Sequence, residues 1–165
     1  MFHVILFEPE IPPNSGNIIR LCANTGSTLH LIEPLGFELD RRAVRRAGLD
    51  YAELAVVRTH RNLAACLNEL ARVRVLAVET GAVRSYNELQ FRPGDALLFG
   101  PETRGLPPAV LQAVPPGRRI SIPVQPGNRS LNLANAVAVV VYEAWRQNAF
   151  AGAAPAAGAS EAARR

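Results

Sequence analysis

The sequence contains no lysine, and all 18 of its basic residues are arginine. This absence excludes a phosphate-binding loop that depends on lysine, a Schiff-base enzyme and a lysine general base. Against 14 acidic residues, the arginines leave a formal net charge of +4. Because guanidinium groups bind phosphate through two hydrogen bonds, this charge is consistent with a polyanionic partner. A coding bias towards arginine explains the composition equally well, so charge alone does not decide.

Metal-binding and nucleotide-binding motifs are also scarce. The two cysteines, Cys22 and Cys66, lie far apart and predict neither a disulfide framework nor a thiolate metal site. His3, His30 and His60 are isolated along the chain, and a structural role is favoured for each of them. No HExxH, GxSxG or GxG pattern occurs. We therefore expect no metal, no serine-hydrolase chemistry and no dinucleotide-binding fingerprint.

Neither a signal peptide nor a membrane span is predicted. No basic residue precedes the first apolar stretch, which Glu8 and Pro9 interrupt. The longest later apolar run, 136–141, is far too short to cross a bilayer. The sequence thus predicts a cytoplasmic protein with no membrane association.

The alternation of apolar runs and helical patterns predicts an α/β fold. The runs are nearly continuous, which is typical of strands buried on both faces of a parallel sheet flanked by helices. The predicted strands are 3–7, 29–32, 55–58, 73–78, 96–99 and 120–124, and the predicted helices are 14–24, 62–72, 107–114 and 131–148. We expect Asn14 to cap the first helix and Gly26 to end it. Residues 1–148 are predicted to form one domain, and the alanine-rich, glycine-rich and proline-rich segment 149–165 a disordered tail.

Candidate chemistry is concentrated in three segments that follow predicted strands, where open α/β sheets bind their ligands. The first segment contains Asn14 and Arg20, which could face a common cleft. For this pair, an ordinary helix cap beside a solvated arginine is the favoured interpretation when the segment is taken alone.

The other two segments lie in the second half of the sequence. In the second, Gly100 permits close approach of a ligand and Glu102 places a carboxylate at the apex of the loop, although a plain turn would look the same. In the third, Ser130 and Asn132 precede the last helix, whose backbone N–H groups favour anions or carbonyl groups. A simple serine cap is the alternative for that segment.

Four motifs, taken together in this order, point to a known family: EPEIPPNSGNIIRLCANTG, RRAGLDY, FGPETRGLP and NRSLNLANAVAVVVYEAWRQ. The chain resembles the SPOUT (SpoU-type) RNA ribose 2'-O-methyltransferases from residue 4 to about residue 147. Within that family it is similar to the small enzymes that modify the wobble nucleotide of tRNA, C or U, in leucine isoacceptors. The resemblance implies a parallel sheet with a C-terminal deep trefoil knot, S-adenosylmethionine as cofactor, and a homodimer packed through the first and last helices.

The same resemblance implies the site residues. Those expected near the reacting ribose are Arg20, Asn14, Glu102, Ser130 and Asn132, with Arg20 tied most directly to catalysis. Those expected to contact the cofactor are Val78, Glu79, Thr80, Gly100, Ile122, Ser130 and Leu131. A guanidinium offers no lone pair at neutral pH, so we expect Arg20 to bind a phosphate or to stabilise a developing alkoxide. An RNA phosphate, Glu102 or water would then accept the proton.

Arginines and one tyrosine are the candidates for binding the anticodon stem-loop of tRNA. Four arginines at helical spacing are expected to contact the backbone of the stem, with a solvated basic face as the alternative: Arg41, Arg42, Arg45 and Arg46. Candidates nearer the target nucleotide are Arg104, Arg129 and Tyr142. Core packing is the alternative for Tyr142.

Two other functions stay open at the level of sequence. One is a methyltransferase of the same class that acts on another tRNA or rRNA position, although such enzymes usually carry an RNA-binding extension. The other is an RNA-binding protein that keeps the fold without catalysis, although all of the expected catalytic residues are intact in this chain.

Overall fold

A computed structural model describes residues 1–37 and 56–154 of the chain. Within these ranges the backbone forms a seven-stranded sheet in the order β3-β2-β1-β6-β4-β7-β5, and every strand pair is parallel. The strands are β1 His3–Phe7, β2 Thr28–Ile32, β3 Val57–His60, β4 Val75–Val78, β5 Arg84–Ser85, β6 Ala96–Phe99 and β7 Arg119–Ser121. The predicted α/β class with a parallel sheet is therefore confirmed.

Helices cover both faces of the sheet. The described helices are α1 Pro12–Thr25, α2 Leu63–Glu69, α3 Pro108–Ala113 and α4 Leu133–Gln147, with single 3₁₀ turns at Tyr86–Glu88 and Pro116–Arg118. On one face, α1 and α4 pack over alternate strand residues such as Val4 and Leu31. On the other face, α2 and α3 pack over the intervening residues, such as Ile5 and Leu98. Because strand side chains alternate between the two faces, both sets are apolar and the strands read as continuous apolar runs.

The start of α1 differs from the prediction. Ile11 is the N-cap residue and Asn14 lies within the first turn, so the expectation that Asn14 caps the helix is wrong. Pro12 stands at the first helical position, where its fixed φ suits the helix and its missing N–H costs no hydrogen bond. The side chain of Asn14 is consequently free for tertiary contacts. Gly26 does end α1 as predicted, with a left-handed φ of 64°.

The other boundaries shift by only a few residues. Asn132 caps α4 by accepting hydrogen bonds from the N–H groups of Ala134 and Asn135, which removes the simple Ser130 cap from consideration. Strand β7 ends before Pro123, which has no N–H to donate to a neighbouring strand. The two-residue strand β5 was not predicted, because so short a segment carries no periodicity.

The three histidines are not isolated in the fold. Nδ1 of His3 lies 3.1 Å from Nε2 of His30, and Nδ1 of His30 lies 2.9 Å from Nε2 of His60. They stand on β1, at the centre of β2 and at the end of β3, so a chain of imidazoles crosses three neighbouring strands. Burial, and then the charges that His3 and His60 would carry, lower the pKa of His30 to about 4.

The structure also bears on two further predictions, the absence of a membrane span and the C-terminal tail. Within residues 1–37 and 56–154, no helix is both long enough and apolar enough to span a bilayer. After α4 the chain turns back, and the indole N–H of Trp145 donates to the carbonyl of Ala151. The rest of the expected tail, 155–165, lies outside the described residues.

Candidate active site

A cavity of about 330 Å³ lies beyond the carboxyl ends of β4 and β6. Val78 and Phe99, the last residues of these strands, form its floor, and the segments after β6 and β7 form its walls. The volume lies at the lower end of the range of small-molecule sites. Ligand sites of open α/β sheets lie at this edge, because the loops that follow parallel strands meet there.

Every residue expected to contact a cofactor lines this cavity. These seven residues are Val78, Glu79, Thr80, Gly100, Ile122, Ser130 and Leu131. They come from the three segments that follow β4, β6 and β7, so only the folded chain brings them together. Apolar walls from Ile122 and Leu131 stand beside the carboxylate of Glu79, a combination suited to an amphiphilic ligand.

The loop after β6 requires glycine at position 100. A Cβ atom placed on Gly100 would lie 2.4 Å from the carbonyl carbon of Gly105 and 2.4 Å from the nitrogen of Leu106. The loop thus closes tightly on itself, with the N–H of Gly105 donating to the carbonyl of Pro101 at 3.1 Å. Gly105 itself has a φ of +66°, which side chains rarely adopt. This tight closure encloses Glu102, which lies between Pro101 and Gly105 in the loop.

Glu102 is bound to the N-terminus of α1. Its Oε2 accepts a hydrogen bond from the N–H of Glu10 at 2.8 Å. Its Oε1 accepts from the N–H of Ile11 at 3.2 Å and from Nδ2 of Asn14 at 2.9 Å. The carboxylate therefore satisfies backbone donors that precede the first helical turn. Because three donors already occupy both oxygens, Glu102 is better placed to fix the geometry of two segments than to accept a proton.

Asn14 extends this network to the last helix. Its Oδ1 accepts a hydrogen bond from Nδ2 of Asn132 at 2.9 Å. The Oδ1 of Asn132 in turn accepts from the N–H of Ala134 at 2.9 Å. A continuous chain of hydrogen bonds thus joins Glu102 to the N-terminus of α4 through two asparagine side chains. Both asparagines are uniquely oriented, because each amide must donate on one side and accept on the other.

A second set of contacts, not anticipated from the sequence, joins the same two loops. The hydroxyl of Thr103 donates to Oε2 of Glu10 at 2.7 Å. Nη2 of Arg104 lies 2.7 Å from Oε2 of Glu8, and its Nε lies 3.7 Å from Oε1 of Glu10. Glu8 adopts a positive φ of 47°. The only sequence signal was the position of these carboxylates in the motif EPEIPPN, directly before the predicted helix.

The remaining expected residues lie outside this core of contacts. Arg20 is exposed on α1, the helix whose N-terminus Glu102 binds, and it is not one of the residues that line the cavity. Arg129 is exposed in the segment that leads to α4. Tyr142 is 46% exposed, with its ring edge-on to Trp145 at a centroid distance of 5.7 Å, so full core packing does not describe it. The four arginines at helical spacing, Arg41, Arg42, Arg45 and Arg46, lie outside the described residues.

Comparison with known proteins identifies the family. Residues 1–142 match the model of the SpoU rRNA Methylase family. The chain belongs to the SpoU methylase family. A relative from Aeromonas hydrophila, named tRNA (cytidine(34)-2'-O)-methyltransferase, is 57% identical over 152 residues, which are 92% of this chain and 97% of the relative. A protein of the same name from Escherichia coli strain K12 is 52% identical over 93% of this chain and 98% of its own length.

A solved structure of a related protein is also similar to this chain in three dimensions. It is described as giving structural insights into the 2-OH methylation of C/U34 on tRNA. It superposes with a TM-score of 0.83 at 49% sequence identity, over 90% of this chain and 97% of that chain. Both the sequence match and the fold match therefore cover nearly the whole of each protein.

Proposed function

We propose that this SpoU methylase transfers a methyl group from S-adenosylmethionine to the 2'-hydroxyl of the wobble nucleotide of tRNA, cytidine or uridine 34. The observation that carries the proposal is the meeting of three loop segments in one cavity, with all seven expected cofactor residues on its surface. Relatives that are 52% and 57% identical over nearly their whole length are named for this reaction at cytidine 34. Leucine isoacceptors are the expected substrates.

The cavity fits the cofactor in size and in chemistry. Apolar side chains such as Val78, Ile122 and Leu131 suit the adenine ring, and Glu79 suits a hydroxyl or a positively charged group. Gly100 lines the cavity, and the backbone of Gly105 and Leu106 packs directly against it, so this part of the wall is formed by main chain held in a fixed position. When bound there, S-adenosylmethionine supplies an activated methyl group on a sulfonium.

Arg20 is the residue proposed to act on the ribose or its phosphate. A guanidinium cannot accept a proton at neutral pH, so its contribution is to bind a phosphate in a bidentate manner or to stabilise the alkoxide that develops at the 2'-oxygen. Glu102 and Asn14 hold α1 in position through three donors on one carboxylate. The proton from the hydroxyl then passes to a phosphate of the RNA or to water.

Recognition of tRNA is proposed to depend on arginine. Arg104 is exposed at the wall of the cavity and Arg129 is exposed directly before Ser130, which also lines it, so both can bind phosphates close to the target nucleotide. Tyr142 offers an exposed ring that can stack on a base or a ribose. An anticodon loop suits this site, because displacing a loop nucleotide costs less free energy than opening a duplex.

The finer features of the fold belong to the same proposal. Strand β7 lies between β4 and β5 although β5 precedes it in the chain, an order compatible with the trefoil knot expected of SPOUT proteins. A homodimer through α1 and α4 is supported by exposed apolar side chains at the N-cap of α1 and on α4, Ile11 and Tyr142. A tRNA-modifying activity supports the expected cytoplasmic location.

The experiment is transfer of labelled methyl groups to total tRNA from a host that lacks the enzyme, followed by mapping of the labelled nucleotide. We expect label on the ribose of nucleotide 34 with the wild type and a loss of at least 100-fold with Arg20→Ala. Arg118→Ala, which alters an exposed arginine away from the cavity, is the matched control. Label at another position would assign the protein to a sister enzyme. Cofactor binding without any transfer would indicate an RNA-binding protein.

A further inference from the structure

The chain of histidines continues into a cysteine and a glutamate that belong to α2. Cys66 lies on the face of α2 that packs against Ile5 and Ile32. The ligand atoms of His30, His60 and Cys66 all lie within 4.8 Å of one another, and all three residues are buried. No spacing motif announced this cluster, because each member comes from a different element.

We propose that His30, His60 and Cys66 form a zinc-binding site. Two imidazole nitrogens and a thiolate are ligands that Zn²⁺ prefers in proteins. Two nitrogens that bind a tetrahedral zinc ion at about 2.0 Å each lie about 3.3 Å apart. Nδ1 of His30 and Nε2 of His60 stand 2.9 Å apart, so the pair has to open by only a few tenths of an ångström.

The outer nitrogens of the two imidazoles already have partners. Nε2 of His30 lies 3.1 Å from Nδ1 of His3, and Nδ1 of His60 lies 3.6 Å from Oε2 of Glu69. Bound imidazoles in metal sites usually make such a contact, which orients the ring and fixes the tautomer. His3 thus orients His30, and Glu69 orients His60.

The helix that carries Cys66 is itself fixed in position. Asn62 caps α2, with its side chain accepting from the N–H of Ala65 at 2.8 Å. The cysteine therefore approaches the histidines from a defined direction. An ion at this point would connect α2 with β2 and with β3, which lies at one end of the strand order.

The proton and charge balance is simple. Binding breaks the S–H bond of Cys66 and releases that proton to solvent, while one Zn–S bond and two Zn–N bonds form. His30 keeps its single proton by moving it to Nε2, where His3 accepts the hydrogen bond. The two negative charges of the Cys66 thiolate and of Glu69 balance the +2 charge of the ion. The three protein ligands would leave the fourth position of a tetrahedral ion to a water molecule.

This site is separate from the cavity. The cavity lies beyond β4 and β6, whereas the proposed ligands stand on β2, β3 and α2. The proposal therefore does not depend on the methyl transfer reaction. We expect zinc binding to raise the free energy of unfolding, because an ion that binds only the folded chain shifts the equilibrium towards that state.

The test uses the untagged full chain, stripped of metal by a chelator and kept in a reductant without thiols. Co²⁺ serves as a spectroscopic substitute for zinc, because a thiolate ligand gives a charge-transfer band in the near ultraviolet. We expect one Co²⁺ per chain with this band, displacement of Co²⁺ by Zn²⁺, and a rise in melting temperature with Zn²⁺.

Variants separate the proposed ligands from the rest of the chain. Cys66→Ser should lose the band, whereas Cys22→Ser should keep it, because Cys22 is buried on the opposite face of the sheet. His60→Gln removes a ligand but retains a side chain that can hydrogen-bond, which controls for loss of folding. Glu69→Gln should keep the band and weaken zinc binding about 10-fold to 100-fold.

Several results would overturn the proposal. Absence of a thiolate band in the wild type would do so, as would equal zinc affinity in Cys66→Ser and wild type. A band that disappears in Cys22→Ser and persists in Cys66→Ser would place the ion elsewhere. An equal rise in melting temperature for the wild type and for a folded His60→Gln protein would show that zinc stabilises the chain by another route.

Discussion

Asn14 and Asn132 are joined by a hydrogen bond of 2.9 Å between side chains that lie 118 positions apart in the sequence. Because Asn14 also donates to Glu102, one buried amide connects the loop after β6 with the start of the last helix. The two asparagines and the glutamate were all expected near the reacting ribose. The structure adds that they bind one another.

Asn14 donates to Glu102 and accepts from Asn132, and this leads to a prediction for Asn14→Asp. The new carboxylate can still accept from Asn132, but it cannot donate to Glu102 and it brings two negative charges together. We expect the free energy of unfolding to fall by about 1–3 kcal/mol and methyl transfer to fall with it. Chemical denaturation measures the first quantity. Asn17→Asp, on the exposed side of the same helix, should leave both quantities almost unchanged.

Glu102→Gln separates a positioning role from proton transfer. Glu102 accepts hydrogen bonds from three donors, and the amide of glutamine would place an NH₂ group against at least one of them. The N-terminus of α1 would therefore lose part of its attachment to the loop after β6. We expect a drop in kcat of at least 10-fold with no change in the shape of its pH profile. Disappearance of the acidic limb of that profile would instead make Glu102 the proton acceptor. Glu88→Gln, at an exposed site, is the control.

Gly100→Ala tests the closure of the loop on the cavity. The added methyl would meet the backbone of Gly105 and Leu106 at 2.4 Å, and backbone cannot move aside cheaply. We expect a loss of about 1–3 kcal/mol in stability and a loss of at least 10-fold in affinity for S-adenosylmethionine, measured by calorimetry. Gly117→Ala should have little effect, since its Cβ would enter open space. Equal affinities in the two variants would contradict the proposed role of the loop.

Arg104 provides a test of electrostatic binding to tRNA. Its side chain is 58% exposed and pairs with Glu8 and Glu10, so it can exchange these carboxylates for a phosphate. We expect Arg104→Ala to weaken tRNA binding and to reduce the slope of log affinity against log salt by about one. Cofactor affinity should change much less. Arg118→Ala is the control. If Arg104→Ala left the salt slope as unchanged as Arg118→Ala does, a phosphate contact of Arg104 would be excluded.

Local sequence determined most of the secondary-structure elements of this protein, and the family resemblance predicted seven residues that line the cavity. Continuous apolar runs predicted a parallel sheet, because strands buried on both faces have no polar side. Gly26 predicted the end of α1, since a left-handed residue favours glycine. The motifs placed the residues expected to bind a cofactor at or after the ends of strands, and parallel strands bring such ends to one edge.

Tertiary structure alone decided which polar groups meet. The sequence assigned Asn14 to a helix cap, but proline already began the helix, and the amide bonds to two residues far away in the chain. It described Glu102 as a carboxylate at a loop apex, whereas three donors from another segment occupy it. It treated the histidines as isolated, although strand pairing aligns them on one face. A hydrogen bond between distant residues depends on the relative placement of whole elements, and no local pattern encodes that placement.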